Sequence, residues 1–249
     1  MRRTPTAPDD LELPDYVRQS LGRRQSLVLD HGFDEATIGT TWWDRELTRH
    51  GASATVQMTD HKLTRSDLFR LGHDAAADPT DDDALLALLW NTLAWGTGRS
   101  QRGNRRRIDA VLDPERREHN VALLQTAAAS ARDGQPAEAY RALVRRGGTA
   151  IRGLGPAFFT KFLYFASEGT PGTRCLILDA RVAHNLARDA GWRSLPHRGN
   201  NYSYNWYTDT YVSYCELLER WAAEESSDRD IEISPDEIER ALFADEVLE

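Results

Sequence analysis

The feature that most constrains this chain is a run that no surface helix could carry. From Ala84 to Trp95, the residues Leu85, Leu86, Leu88, Leu89, Trp90 and Leu93 place apolar side chains on nearly every side of a helical period. Such a helix must be wrapped by others, so the chain needs a sizeable core. Its 249 residues allow one: a domain of this size buries roughly 70–75% of its unfolded surface and needs neither disulfide nor metal to fold. Ahead of the run, Thr80-Asp81-Asp82-Asp83 has the form of an N-cap with acids in the first turn. Gly96 is expected to stop the helix, and Trp95-Gly96-Thr97-Gly98-Arg99 to form a loop before an arginine-rich stretch.

The rest of the chain is mostly helical, with no repeat and no low-complexity block. Residues 1–14 hold three prolines and are expected to be a flexible leader. Gln25–Leu29 suggests a short strand, Trp42-Trp43-Asp44 a helix, and Leu63–Leu71 another that ends at Gly72. Asp113-Pro114 opens a helix running to about Asp133, the proline suiting a first helical position. Helices follow over Pro136–Arg146, closed by Gly147-Gly148, and over Pro156–Ser167. Thr173–Leu178 is extended, and Ala180–Asp189 is helical. Residues 193–207 form a polar loop holding Tyr202, Tyr204, Trp206 and Tyr207, before an amphipathic helix over Thr210–Ala223. Ser234-Pro235-Asp236-Glu237 starts a last acidic helix.

Several classes are excluded. Cys175 and Cys215 are the only cysteines, too few for a zinc knuckle or a four-cysteine iron–sulfur cluster. No apolar run approaches the ~18 residues of a membrane span. Arg2-Arg3 has no hydrophobic stretch behind it, so a cytoplasmic protein without a signal peptide is expected.

The net charge of −8 conceals a partition. Glu224 to Glu249 holds eleven acids and two arginines, whereas Arg99 to Arg152 holds twelve arginines and six acids. A basic middle is compatible with a phosphate-binding face and equally with a solvated helical surface. Lysine occurs only at Lys62 and Lys161.

The chemistry concentrates between Ile151 and Val182. Ile151-Arg152-Gly153-Leu154-Gly155-Pro156-Ala157 sets two glycines about one apolar residue at the start of a helix, which makes a tight hairpin. The free N–H groups opening that helix can bind a phosphate. Farther on, Leu176-Ile177-Leu178-Asp179-Ala180 puts an aspartate at a helix start, where it caps and is kept ionised by the dipole. Either element alone is common, and a plain cap remains open for Asp179.

Together they resemble the helix-hairpin-helix DNA glycosylase superfamily, most closely its 8-oxoguanine DNA glycosylase branch. The likeness is good over about 149–190, plausible over 81–148 and absent over 1–80. It implies a mostly α, two-lobed helical fold with few short strands. The domains would be an N-terminal segment, 1–80, packed on the core; a helical core, 81–223, with its hairpin at 149–167; and an acidic C-terminal helix, 224–249. The implied activity is excision of a damaged or modified base, such as an oxidised purine, from double-stranded DNA. Base excision repair and phage defence are both open. A non-catalytic helix-hairpin-helix DNA-binding module and a protein–protein scaffold are the alternatives.

On this resemblance Asp179 is the catalytic aspartate, stabilising positive charge on the sugar. Arg152, Gly153, Leu154, Gly155, Pro156 and Ala157, with Arg99 and Arg102 of the loop, are the DNA contacts. Because the target base must leave the stack, Trp95, Trp206 and Tyr207 are candidates for the base pocket, and equally for core aromatics. No metal or cofactor is expected beyond a monovalent cation at the hairpin, and a monomer is expected. The chain departs from the branch at Ala157, where bifunctional members carry a nucleophilic lysine, which puts lyase activity in doubt. Gly147-Gly148 also suggests a hairpin longer than usual. Lys161 lies one turn on from Ala157, in the apolar helix Phe158–Phe165, and its stem could run back toward the vacant position. It is either a displaced nucleophile or a snorkelling surface lysine.

Overall fold

The computed structural model describes residues 11–53, 55–145, 148–167, 175–198, 201–202 and 206–244. Asp15–Ser20 (α1) is followed by a single π turn at Gln25–Leu29 and the strand Gly32–Asp34 (β1). Glu35–Ile38 (α2) and Thr40–Arg49 (α3) lead to Lys62–Thr64 (β2), which pairs antiparallel with β1, Phe33 opposite Leu63. Then come Arg65–Ala77 (α4), Asp82–Thr97 (α5), Asn104–Val111 (α6), Arg117–Arg132 (α7) and Pro136–Ala142 (α8). Val144–Arg145 (β3) and Gly148–Thr149 (β4) pair antiparallel before Pro156–Ala166 (α9) and Ala180–Asp189 (α10). His197–Arg198 (β5) pairs antiparallel with Asn201–Tyr202 (β6), and Thr208–Arg229 (α11) and Pro235–Ala244 (α12) complete the described chain. The protein is mostly helical, with short two-stranded ladders.

The apolar run behaves as its pattern requires. Every residue of α5 from Leu85 to Trp95 is buried, and α5 packs against both α4 and α9. Its cap is Asp81, whose carboxylate accepts from the N–H groups of Asp83 and Ala84. Buried side chains from Leu11 to Leu242 form one continuous hydrophobic cluster around it.

Two glycines that look like helix stops lie inside helices. Gly72 is within α4, and a Cβ there would meet the Phe165 carbonyl oxygen at 2.0 Å. It permits a close crossing of α4 over α9. Gly96 is within α5 and faces the Lys161 side chain. The remaining departures are local. Leu63 belongs to β2 and the helix starts only at Arg65, where Thr64 and Asp67 form a capping box. Pro114 lies in the turn before α7. Gln25–Leu29 coils instead of forming a strand, because Glu237 of α12 accepts from the N–H groups of Gly22 and Arg23 and fixes the turn there. The expected flexible leader is packed from Leu11 on: Leu11 and Leu13 are buried, and the Leu11 carbonyl accepts from Trp221 Nε1. Residues 1–10 and Tyr204 lie outside the described residues. The polar stretch after Arg193 contains the β5–β6 ladder.

The expected acidic C-terminal helix is two helical pieces over its described residues, the end of α11 and α12. Its first residues continue α11, whose end at Arg229 is held by Glu225. In α12, Asp236 bonds Arg24, Glu237 bonds the Gly22 turn, and Glu239 pairs with buried Arg65. These carboxylates tie the end of the chain to its beginning.

Candidate active site

The hairpin is longer than a bare helix turn. After α8 the β3–β4 ladder intervenes, and Ala150 N–H donates back to Leu143 O. Leu154 N–H then closes on Ile151 O at 3.2 Å. Gly153 sits at φ +81°, in the left-handed region where a side chain is strained. Gly155 has an ordinary extended conformation, φ −79° and ψ 171°, and a Cβ there would meet nothing within 4 Å. Pro156 is at the first helical position of α9. The side chains of Ile151, Leu154, Pro156 and Ala157 are buried, so the hairpin offers a partner its backbone and the exposed Arg152. Among the described residues, the N–H groups of Gly155 and Ala157 have no protein acceptor. Arg107 braces the turn: its Nε donates to Gly153 O at 3.0 Å, and its guanidinium lies 3.6 Å from the Phe158 ring centre. Burial and the neighbouring Arg106 lower its pKa to about 10.

The run before α10 is pinned on both sides. Thr160 accepts the Leu178 N–H at 3.2 Å, and Tyr214 OH donates to Ile177 O at 2.6 Å. Asp179 emerges from this fixed segment as the N-cap of α10. Its Oδ1 accepts from the N–H groups of Arg181 and Val182, at 3.0 and 3.1 Å. Its Oδ2 accepts from Lys161 Nζ at 3.0 Å. The lysine amine also donates to Ala157 O at 2.9 Å, so its stem runs back one turn along α9. The two side chains are 8% and 13% exposed. Burial opposes the charge on Asp179, but Lys161 and the two N–H groups outweigh it and hold the carboxyl below its ordinary pKa.

The pair borders a cavity of about 60 Å³, room for about two waters at ~30 Å³ each. Trp95, Phe33 and Phe243 supply its aromatic walls, and His31, Arg65 and Glu239 its polar ones. Trp95 meets His31 and Phe33 with ring centres 5.3 and 5.9 Å apart. Burial, then the nearby Arg65 and Arg240, push the His31 pKa down to about 2, so it stays neutral. Arg65 donates to Glu239 at 2.7 Å, both side chains being 1% exposed.

The structure therefore brings together Asp179, Lys161 and Trp95. It does not bring Trp206 and Tyr207 to them. Trp206 is buried, and its carbonyl accepts from Tyr140 OH. Tyr207 is 48% exposed just before α11. Neither lines the cavity, because the turn into α11 faces the α8 side of the core. Arg99 and Arg102 are exposed, on the connection from α5 to α6. His31, Phe33, Arg65, Glu239 and Phe243 carry no motif of their own. Only the fold shows that both ends of the chain wall the site. Among the described residues no cluster of His, Cys, Asp and Glu could hold a metal ion, and no helix is long and apolar enough to cross a membrane.

The family model described as "Putative 8-oxoguanine DNA glycosylase OGG-like protein" matches residues 27–243, and the chain belongs to that family. The match begins well before residue 81 and takes in His31, Phe33 and Arg65. No curated protein and no solved structure matches the chain.

Proposed function

We propose that the protein excises an altered base from double-stranded DNA by breaking its N-glycosidic bond, and that Lys161 and Asp179 do the chemistry. The observation that carries this is the 3.0 Å hydrogen bond between Lys161 Nζ and Asp179 Oδ2 at the cavity wall. Bond cleavage builds positive charge on the sugar, and a fixed carboxylate stabilises it. Asp179 is fixed by two backbone N–H groups independently of Lys161. With the lysine proton passed to the departing base, the free amine attacks C1′. The C1′–N bond to the base breaks as the bond to Nζ forms; the C1′–O4′ bond then opens, O4′ taking a proton from the new ammonium to become a hydroxyl, and a protonated Schiff base remains. Lyase activity then follows, although Ala157 holds the usual position of the lysine.

Trp95, Phe33 and Phe243 offer an extruded base aromatic surfaces to stack on. Arg152 and the N–H groups of Gly155 and Ala157 hold the phosphates beside the extruded nucleotide. An oxidised purine is the proposed substrate class, following the family description.

The test is a panel of duplexes, each with one altered base, scored for abasic-site release by wild type and Asp179→Asn. Borohydride trapping of wild type and Lys161→Gln accompanies it. Release that Asp179→Asn abolishes, with a crosslink that Lys161→Gln abolishes, is the expected result. A crosslink that survives Lys161→Gln removes the nucleophile assignment, and equal release by Asp179→Asn removes the catalytic one.

A further inference from the structure

A groove larger than the cavity at the Lys161–Asp179 pair lies elsewhere on the protein. It is an open cleft of about 590 Å³ on the other side of the hairpin, between α6, the start of α7 and the β3–β4 ladder. Arg106, Arg116, Arg145 and Arg152 line it, and all four are exposed. Other surface arginines are held by carboxylates, among them Arg18 by Glu225, Arg70 by Asp74, Arg141 by Glu138 and Arg220 by Glu224, while Arg99, Arg102 and Arg193 have no carboxylate partner among the described residues. Among the described residues, none of the four groove guanidiniums has a protein partner. Two acids also line the groove: Asp109, 3.0 Å from His50 Nε2, and Asp113, which accepts the Glu115 N–H at 2.9 Å, so four arginines face two carboxylates. The groove keeps a surplus of positive charge around one concavity, which favours an anion.

We propose that this groove seats the DNA phosphodiester backbone beyond the nucleotides held by the hairpin, so that the footprint runs from the hairpin turn along α6 to Arg116. Two observations favour a nucleic-acid strand over an acidic peptide. First, the groove is continuous with the hairpin: Arg152 belongs to both, and the Arg106 side chain passes 3.9 Å from the Cβ position of Gly153. Second, the acids of this chain's own C-terminal helix are bound internally by Arg24, the Gly22 turn and Arg65, so α12 of a second copy has no free carboxylate row to offer. Arginine suits the role, since its fork donates in two directions to phosphate oxygens. The inference rests on the DNA reading of the hairpin but on none of the chemistry assigned to Lys161 and Asp179.

The experiment measures affinity for long, unmodified B-form duplex DNA as a function of salt. It compares wild type with Arg116→Gln/Arg145→Gln and with Arg116→Lys/Arg145→Lys. The glutamine pair should lower the slope of log affinity against log salt by about 2, one for each phosphate that is no longer neutralised. The lysine pair should restore most of it. Thermal melts of all three should coincide, because these guanidiniums bond nothing in the fold. On duplexes shortened until no backbone reaches the groove, wild type and the glutamine pair should bind alike. An unchanged slope overturns the proposal. So does an unchanged slope accompanied by loss of binding to a polyglutamate peptide, which would assign the groove to a protein partner. If no altered base is released from any duplex and the slope still falls, the glycosylase reading fails and the groove stands. If base release is found and the slope is unchanged, the groove alone fails.

Discussion

Gly96 and Lys161 share one space: a Cβ on Gly96 would stand 3.0 Å from Lys161 Cδ and 3.5 Å from Cε. The lysine stem crosses the backbone of α5 at the one residue there without a side chain. That passage lets a lysine in an otherwise apolar helix end at Asp179 and the Ala157 carbonyl, not in solvent.

Gly96→Ala should therefore separate stability from activity. Alanine inside a helix is favoured over glycine by about 1 kcal/mol, which offsets the crowding of a flexible stem that can shift by a few tenths of an ångström. The melting temperature should stay within a few degrees of wild type. The displaced amine should lose its alignment with Asp179, lowering excision and borohydride trapping by about ten- to a hundredfold. Single-turnover excision set beside a thermal melt checks this, and full activity in the variant would mean that the stem has a second route.

The same pair sets a pH dependence. Asp179 is held below its ordinary pKa by Lys161 and by its two N–H donors, against its burial. A depressed carboxyl lends stability that is complete above about pH 4 and is lost as pH falls through the folded value. In Lys161→Gln the main attraction is gone and burial dominates, so the Asp179 pKa rises. The variant should be less stable by about 1–3 kcal/mol at neutral pH, and the deficit should shrink toward about pH 3 as the unfolded-state carboxyls also protonate. Urea melts across this range measure it, and a deficit that does not change with pH would mean that the ion pair contributes nothing.

What the sequence disclosed follows from how local each signal is. The wrapped helix α5 was legible because its apolar periodicity lies in consecutive residues. The Asp179 cap and the reach of Lys161 were legible because helix geometry relates residues four apart. Gly72 and Gly96 were misread as stops because a glycine that admits a neighbour's backbone or side chain looks, in one dimension, like a glycine that ends a helix. The internal pairing of the acidic stretch was not legible because its partners Arg24 and Arg65 lie more than 170 positions away. The cavity walls were hidden for the same reason, His31 and Phe243 coming from opposite ends of the chain.

The two hairpin glycines should respond differently to alanine. Gly153 is at φ +81°, so a side chain there costs about 1–2 kcal/mol in backbone strain. Gly155 is in an extended conformation with open space at its Cβ position, so in Gly155→Ala the lost N-cap preference, about 0.5–1 kcal/mol, is offset by a less flexible unfolded chain, about 0.4–1 kcal/mol, and stability should change little. A methyl at Gly155 adds bulk at the N-terminus of α9, beside the unpartnered Gly155 N–H that a phosphate would approach. Gly153→Ala should therefore lower stability, and Gly155→Ala should lower DNA affinity with little change in stability. Denaturant melts and a filter-binding titration of both variants check the contrast, and normal DNA affinity in Gly155→Ala would exclude phosphate binding at this turn.

Arg65 and Glu239 close the inner wall of the cavity, and their two deletions should differ in pH dependence. Burial works against Arg65, yet Glu239 and the Tyr164 hydroxyl keep it charged. Burial raises the Glu239 pKa above the ordinary carboxylate value despite Arg65, and the negative Asp179 adds to the rise. An arginine cannot shed its proton, so Glu239→Gln leaves a permanent buried charge facing a neutral amide. Its cost, about 3–5 kcal/mol, should vary little with pH. Arg65→Met instead leaves a carboxyl that can escape by taking up a proton. Its folded pKa rises further above the unfolded value, so the stability tied to that proton is present below the unfolded pKa and is lost as pH rises through the folded one. The cost of Arg65→Met should therefore be small near pH 4 and grow toward pH 8. Guanidinium melts of both variants at the two ends of that range measure the difference. Equal slopes against pH would show that Glu239 is ionised with or without its arginine, and that the wall of the cavity carries a charge the folded protein tolerates unaided.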